Sequence, residues 1–127
     1  WSPTTRSTAT ARSSSPVSDC RCLHPPFASR DFESLPVGVD EAGGRFAEVT
    51  IETCRSCGRR WLRYLIEYEA FPKSGRWYRG LVTVEDARTV TAGTALQTLA
   101  QLEWRFAGGS FFQSTGFRTS APVRVDP

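Results

Sequence analysis

Polar and apolar residues alternate most cleanly in the middle of the chain. In 45–53, RFAEVTIET, Ala47, Val49 and Ile51 fall on one side and Glu48, Thr50 and Glu52 on the other. That is the period of two that marks a half-buried strand. Residues 59–71, RRWLRYLIEYEAF, repeat it: Leu62, Tyr64, Ile66, Tyr68 and Ala70 share one face, and Trp61, Arg63, Leu65, Glu67 and Glu69 share the other. After a turn at 72–75, RWYRGLVTVE (76–85) sets Tyr78, Val82 and Val84 together. Short connections between such runs predict an antiparallel meander of three strands.

The period then changes. Over 91–107, TAGTALQTLAQLEWRFA, the apolar positions Ala92, Ala95, Leu96, Leu99, Leu102 and Phe106 recur at three and four, which predicts a helix with one apolar face. Thr91 or Thr94 would cap its start and Gly108-Gly109 its end. Residues 110–117, SFFQSTGF, read as a final short strand or hook, while 28–45 and the last ten residues read as irregular. The expected fold class is α+β: a three-stranded antiparallel meander packed by one helix.

The first 18 residues, WSPTTRSTATARSSSPVS, carry almost no large apolar group. Such a segment cannot bury enough surface to offset its chain entropy. It reads as a disordered tail or linker, in preference to a transit peptide, and leaves 19–127 as one domain. No run approaches the ~20 apolar residues of a membrane-spanning helix. The 127 residues include no Met, even at position 1, so an upstream signal is not excluded; a cytoplasmic location is the expectation.

Charge narrows the partner class. The net charge is +3, but Arg6 and Arg12 lie in the acid-free first 18 residues, so 19–127 hold 14 basic and 13 acidic groups. A folded part this close to neutral differs from the strongly basic domains that bind nucleic acid.

All four cysteines fall in two tight pairs, Cys20-x-Cys22 and Cys54-x-x-Cys57, and the one histidine, His24, follows the first pair by two residues. This clustering of soft and borderline ligands suits tetrahedral zinc better than disulfides in an exported chain or a redox pair. A redox pair would sit at a helix start, where the thiol is acidified, and this one sits between strands. Cys20, Cys22, Cys54 and Cys57 form the favoured ligand set, with His24 in place of one of the first pair as the alternative.

The stretch CRSCG, 54–58, between two strands resembles the knuckle of zinc-ribbon and rubredoxin-like proteins. The resemblance covers about ten residues. It implies a metal site and a strand–knuckle–strand unit, hence a structural Zn²⁺, and no particular function. The first pair departs from it, since a ribbon offers a second C-x-x-C.

Catalysis finds little support. The H-x-E and P-C-x-x-C elements of zinc deaminases are absent, because His24 precedes Pro25-Pro26 and Thr53 precedes Cys54. One histidine near the metal leaves no general base for Ser110, Ser114 or Ser120. The expectation is a non-catalytic module that binds a protein partner, with no membrane contact and no small-molecule cofactor. Two alternatives remain. One is nucleic-acid binding through the basic-aromatic clusters Arg59, Arg60, Trp61, Arg63 and Arg76, Trp77, Arg79; the other is a small metalloenzyme. Against a binding role for these clusters, Arg59 and Arg63 can pair with Glu48, Glu52, Glu67 or Glu69 while Trp61 and Trp77 fill a second small core.

Overall fold

The computed structural model of the chain describes residues 19–125; the proposed tail, 1–18, lies outside them. Among the described residues six strands form one antiparallel sheet in chain order: β1 (Phe32–Asp40), β2 (Ala47–Cys54), β3 (Arg60–Ile66), β4 (Arg76–Val82), β5 (Arg105–Gly109) and β6 (Ser114–Thr119). Two short helices, α1 (Val84–Thr89) and α2 (Ala95–Ala100), join β4 to β5. The fold is mostly β, and the three-stranded meander with one helix is corrected to this six-stranded meander with two.

The alternating core strands form as their pattern dictates. Ala47, Val49, Ile51, Leu62, Tyr64, Ile66, Tyr78 and Val82 are buried in one cluster on one side of the sheet. Glu48 opposes Leu65, Glu52 opposes Trp61 and Arg63 opposes Arg79, so the other set of positions also shares a side.

Strand β1 was hidden in the stretch expected to be irregular. It is an edge strand, buried only at Phe32 and Asp40, with a register shift between Pro36 and Gly38. An edge tolerates a proline that cannot donate to a ladder, and exposure on both faces erases the alternation that sequence reading needs.

The single helix expected over 91–107 is replaced by an earlier helix, a shorter one and the start of a strand. Residues 84–89 coil first: the Thr83 hydroxyl caps α1 by accepting from the Asp86 N–H at 3.0 Å. Helix α2 buries Ala95 and Leu99 on the sheet and stops at Ala100. Arg105 then donates from Nε to the Leu99 carbonyl at 3.1 Å and from Nη2 to the Leu102 carbonyl at 2.8 Å. These bonds use carbonyls that a longer helix would have needed for its own ladder. Phe106 continues as strand, paired with Arg79, and buries its ring on the side opposite α2.

Gly108-Gly109 is therefore not a helix stop. Gly108 lies opposite Trp77 in the ladder, and a Cβ there would come within 2.5 Å of the indole. The expected hook at 110–117 resolves into a 3-10 turn, Ser110–Phe112, and strand β6.

Each side of the sheet has its own cover. Helices α1 and α2 and the segment 120–125 lie on the aliphatic side. The Tyr78 hydroxyl donates to the Arg124 carbonyl at 2.8 Å, and Arg76 Nη1 donates to the same oxygen at 3.1 Å. Tyr68 donates to the Val125 carbonyl and Arg105 Nη1 to that of Ala121. On the other side Cys22, Phe32, Cys54, Trp61 and Phe106 form a second buried cluster, flanked by Phe27, Trp77, Leu81 and Trp104.

Candidate metal centre

The two cysteine pairs meet at the end of β2. Cys54 is its last residue, and its N–H donates to the Arg59 carbonyl at 2.8 Å while its carbonyl accepts from the Gly58 N–H at 2.9 Å. These bonds close a tight turn. Gly58, at φ 80°, lets the chain turn into β3 through the left-handed region that a side chain would resist. The first pair rides on a loop. Cys20 is extended, and a 3-10 turn at Arg21–Leu23 follows, with the Leu23 N–H donating to the Cys20 carbonyl at 2.9 Å. The Arg55 N–H donates to the Asp31 carbonyl at 2.9 Å, and Phe32 pairs with Cys54, which ties the loop's exit to the knuckle.

The sulfurs interleave. Cys20 Sγ lies 3.6 Å from Cys54 Sγ, and Cys22 Sγ lies 3.5 Å from Cys57 Sγ. All four fall within 4.8 Å of one another. Neighbouring sulfurs around a tetrahedral Zn²⁺, each about 2.3 Å from the ion, stand about 3.8 Å apart. The donor set thus has the spacing to hold a metal ion. Cys22 and Cys54 are buried, Cys20 is half-buried and Cys57 is exposed.

His24 is not in this group. Its Nε2 lies 2.5 Å from Asp19 Oδ1, and the ring is mostly exposed. The four cysteines are brought together and the histidine is engaged elsewhere.

The surroundings divide the thiols. Burial pushes the Cys22 thiol up, and the neighbouring Cys57 adds to the rise. Cys20 also rises: the Cys22 N–H favours its thiolate, but burial and hydrogen bonds from Cys54 and Cys57 outweigh that. Cys57 goes the other way. Burial would raise it, yet the N–H and guanidinium of Arg59, with Nη1 at 3.2 Å from the sulfur, bring it down to about 7. The Trp61 indole N–H is buried without a hydrogen-bond partner, on the side of Cys22, where it favours that thiolate. Four adjacent sulfurs suit a shared cation, which stabilises every thiolate at once.

The basic-aromatic residues singled out from the sequence are dispersed. Trp61 is fully buried against Phe106 and Trp104. Arg76 is fully buried, its guanidinium 3.7 Å from the centre of the Phe111 ring, and Arg79 is buried against Glu52 with the rings of Phe27 and Phe32 at 4.6 and 4.5 Å. Trp77 is half-buried beside Phe27. Arg59, Arg60 and Arg63 are half-exposed, Arg59 at the knuckle and the other two on β3. Trp61 and Trp77 do sit in a second core, while the partner of Glu52 is Arg79, neither Arg59 nor Arg63. Sequence reading passed over Phe27, Phe32 and Trp104 and placed Phe106 on the helix; the rings of these four wall the cysteine end, and no single period marks them, because they come from a loop, β1 and the start of β5.

No protein-family model, curated protein or solved structure gives a significant match to the chain. Among the described residues no helix is long and apolar enough to cross a membrane.

Proposed function

We propose that the chain is a small zinc-stabilised binding module without catalytic activity, and that its partner is a protein. One observation carries the zinc assignment: four cysteine sulfurs from two distant places converge at tetrahedral spacing. A soft, all-thiolate donor set favours Zn²⁺ over Mg²⁺, Ca²⁺ or Mn²⁺. Cys20, Cys22, Cys54 and Cys57 would hold the ion, which would cross-link the loop to the knuckle and fix one end of the sheet.

Four sulfur ligands fill a tetrahedral ion and leave no position for a reactive water. The histidine that a hydrolytic site would use is turned to Asp19. Both points support a structural role. The burial of Trp61, Arg76 and Arg79 removes three of the side chains that a nucleic acid would stack on or pair with, which supports a protein partner over the nucleic-acid alternative.

The test is metal analysis of protein purified without added zinc, followed by cobalt substitution. One zinc per chain, and cobalt spectra of a tetrahedral four-thiolate site lost in Cys54→Ser, is the expected outcome. Absence of metal with all four thiols reactive would overturn the assignment.

A further inference from the structure

The cysteine loop covers only one end of its side of the sheet. At the far end, between the β1–β2 and β3–β4 connections, lies an open groove of about 540 Å³. Its walls are Phe46, Tyr68 and Phe71, with Leu65 in its lining. Phe46 and Phe71 are 64% and 51% exposed, large rings that the fold leaves to water. Tyr68 and Phe71 meet edge to face with centroids 6.4 Å apart. Phe46 holds φ 51°, a left-handed conformation that a bulky residue adopts only at a cost.

The charge of the groove is one-sided. Glu48, Glu67 and Glu69 line it and form no ion pair among the described residues. Its one cation, Arg45, is committed to partners outside the groove: Nη2 donates to Asp40 at 3.3 Å and Nε to the Tyr64 hydroxyl at 3.1 Å. Exposed aromatic faces beside unpaired carboxylates are the chemistry that receives a guanidinium or ammonium group on an aliphatic stem.

We propose that this groove is the docking site for a basic, extended segment of a partner protein, with an arginine or lysine side chain between Phe46 and Phe71 and its charge against Glu67 and Glu69. The assignment names the partner's chemistry for the module proposed above, but its residues are separate from the metal centre. Zinc content measured on the same samples therefore distinguishes failure of one from failure of the other.

The experiment is fluorescence anisotropy on the whole metal-loaded chain with two labelled peptides of equal length, one alternating alanine and arginine, the other alanine and glutamate. The arginine peptide should bind about tenfold tighter or more. The double change Glu67→Gln with Glu69→Gln should weaken it about fivefold, more than Glu33→Gln with Glu103→Gln, which removes the same charge outside the groove. Phe46→Gly should weaken binding about threefold or more without lowering the melting temperature, because glycine accepts the left-handed backbone. Equal affinity for both peptides would overturn the proposal. So would equal effects of the two double variants, which would mean diffuse attraction, or unchanged binding in Phe46→Gly. Displacement of the peptide by tetramethylammonium alone at equal concentration would reassign the groove to a small cation and overturn the extended partner.

Discussion

The two sides of the sheet solve the same burial problem with different materials. The aliphatic side is filled by Val49, Ile51, Leu62, Ile66 and Leu99 and covered by two helices and a terminal segment. That segment is hydrogen-bonded into place by Tyr78, Arg76, Tyr68 and Arg105. The cysteine side is filled by rings, a buried Arg79–Glu52 pair and thiols, and its cover is a loop with Pro25 and Pro26 and two single 3-10 turns. Helices satisfy their own backbone groups and need only an apolar stripe to dock. A proline-bearing loop brings few such bonds, so a cross-link must hold it down. Cys20 and Cys54 stand 34 residues apart, and fixing a loop of that length restricts the unfolded chain most. The difference marks the cysteine side as the one that a metal cross-link would hold.

That asymmetry can be broken most forcefully at the knuckle. Cys54→Ser, or a strong chelator, should destabilise the domain by about 5 kcal/mol or more, since binding energy at a structural zinc is folding energy. Trp61, Trp77 and Trp104 all belong to the cysteine side. With Trp1 changed to Phe, tryptophan emission should shift to the red on chelation. Unchanged emission and melting temperature would show that the loop holds without metal.

Next in size is the buried ion pair. Arg79→Met strands Glu52 at 6% exposure, and loss of one partner of a buried pair costs about 3–5 kcal/mol. Chemical denaturation would measure it, and recovery in the double variant with Glu52→Leu would separate the stranded charge from lost packing.

On the aliphatic side Leu99→Ala should cost about 3 kcal/mol through the cavity it leaves, with full retention of metal. Loss of zinc in that variant would mean that the two sides are not separable.

The smallest effect concerns Asp40. Burial would raise its carboxyl, but the Tyr64 hydroxyl at 2.6 Å, the Ala42 N–H and Arg45 outweigh it and hold it below the usual carboxylate range. A lowered folded-state pKa gives stability that is present above the unfolded value of about 4 and is lost as pH falls through the folded one. Asp40→Asn should therefore cost about 1 kcal/mol at neutral pH, and the gap from the parent should narrow as pH falls below the unfolded value. Urea titrations of both metal-loaded proteins, with zinc content measured at each pH, would show it.

The cysteine side also explains what could be read from the chain. Two-residue alternation in 47–54, 60–66 and 76–82 follows directly from residues facing a core, and three strands were legible for that reason. The grouping of Cys20, Cys22, Cys54 and Cys57 was legible too, since metal-ligand spacing is a local property. Thr83 with Asp86 three residues on was a legible helix start that the run of alternation through Val84 obscured. Nothing local marked β1, which buries only its ends, and local spacing misplaced Phe106, which fits the helical period although it lies on β5.

Sequence alone determined the central strands and the four sulfur donors, because each depends on neighbours a few residues apart. Tertiary structure decided which side of the sheet each ring and arginine entered and how the sulfurs crossed in pairs. Those outcomes depend on register between distant segments, Phe32 against Cys54 and Trp77 against Gly108, and a period along the chain carries no record of register across it.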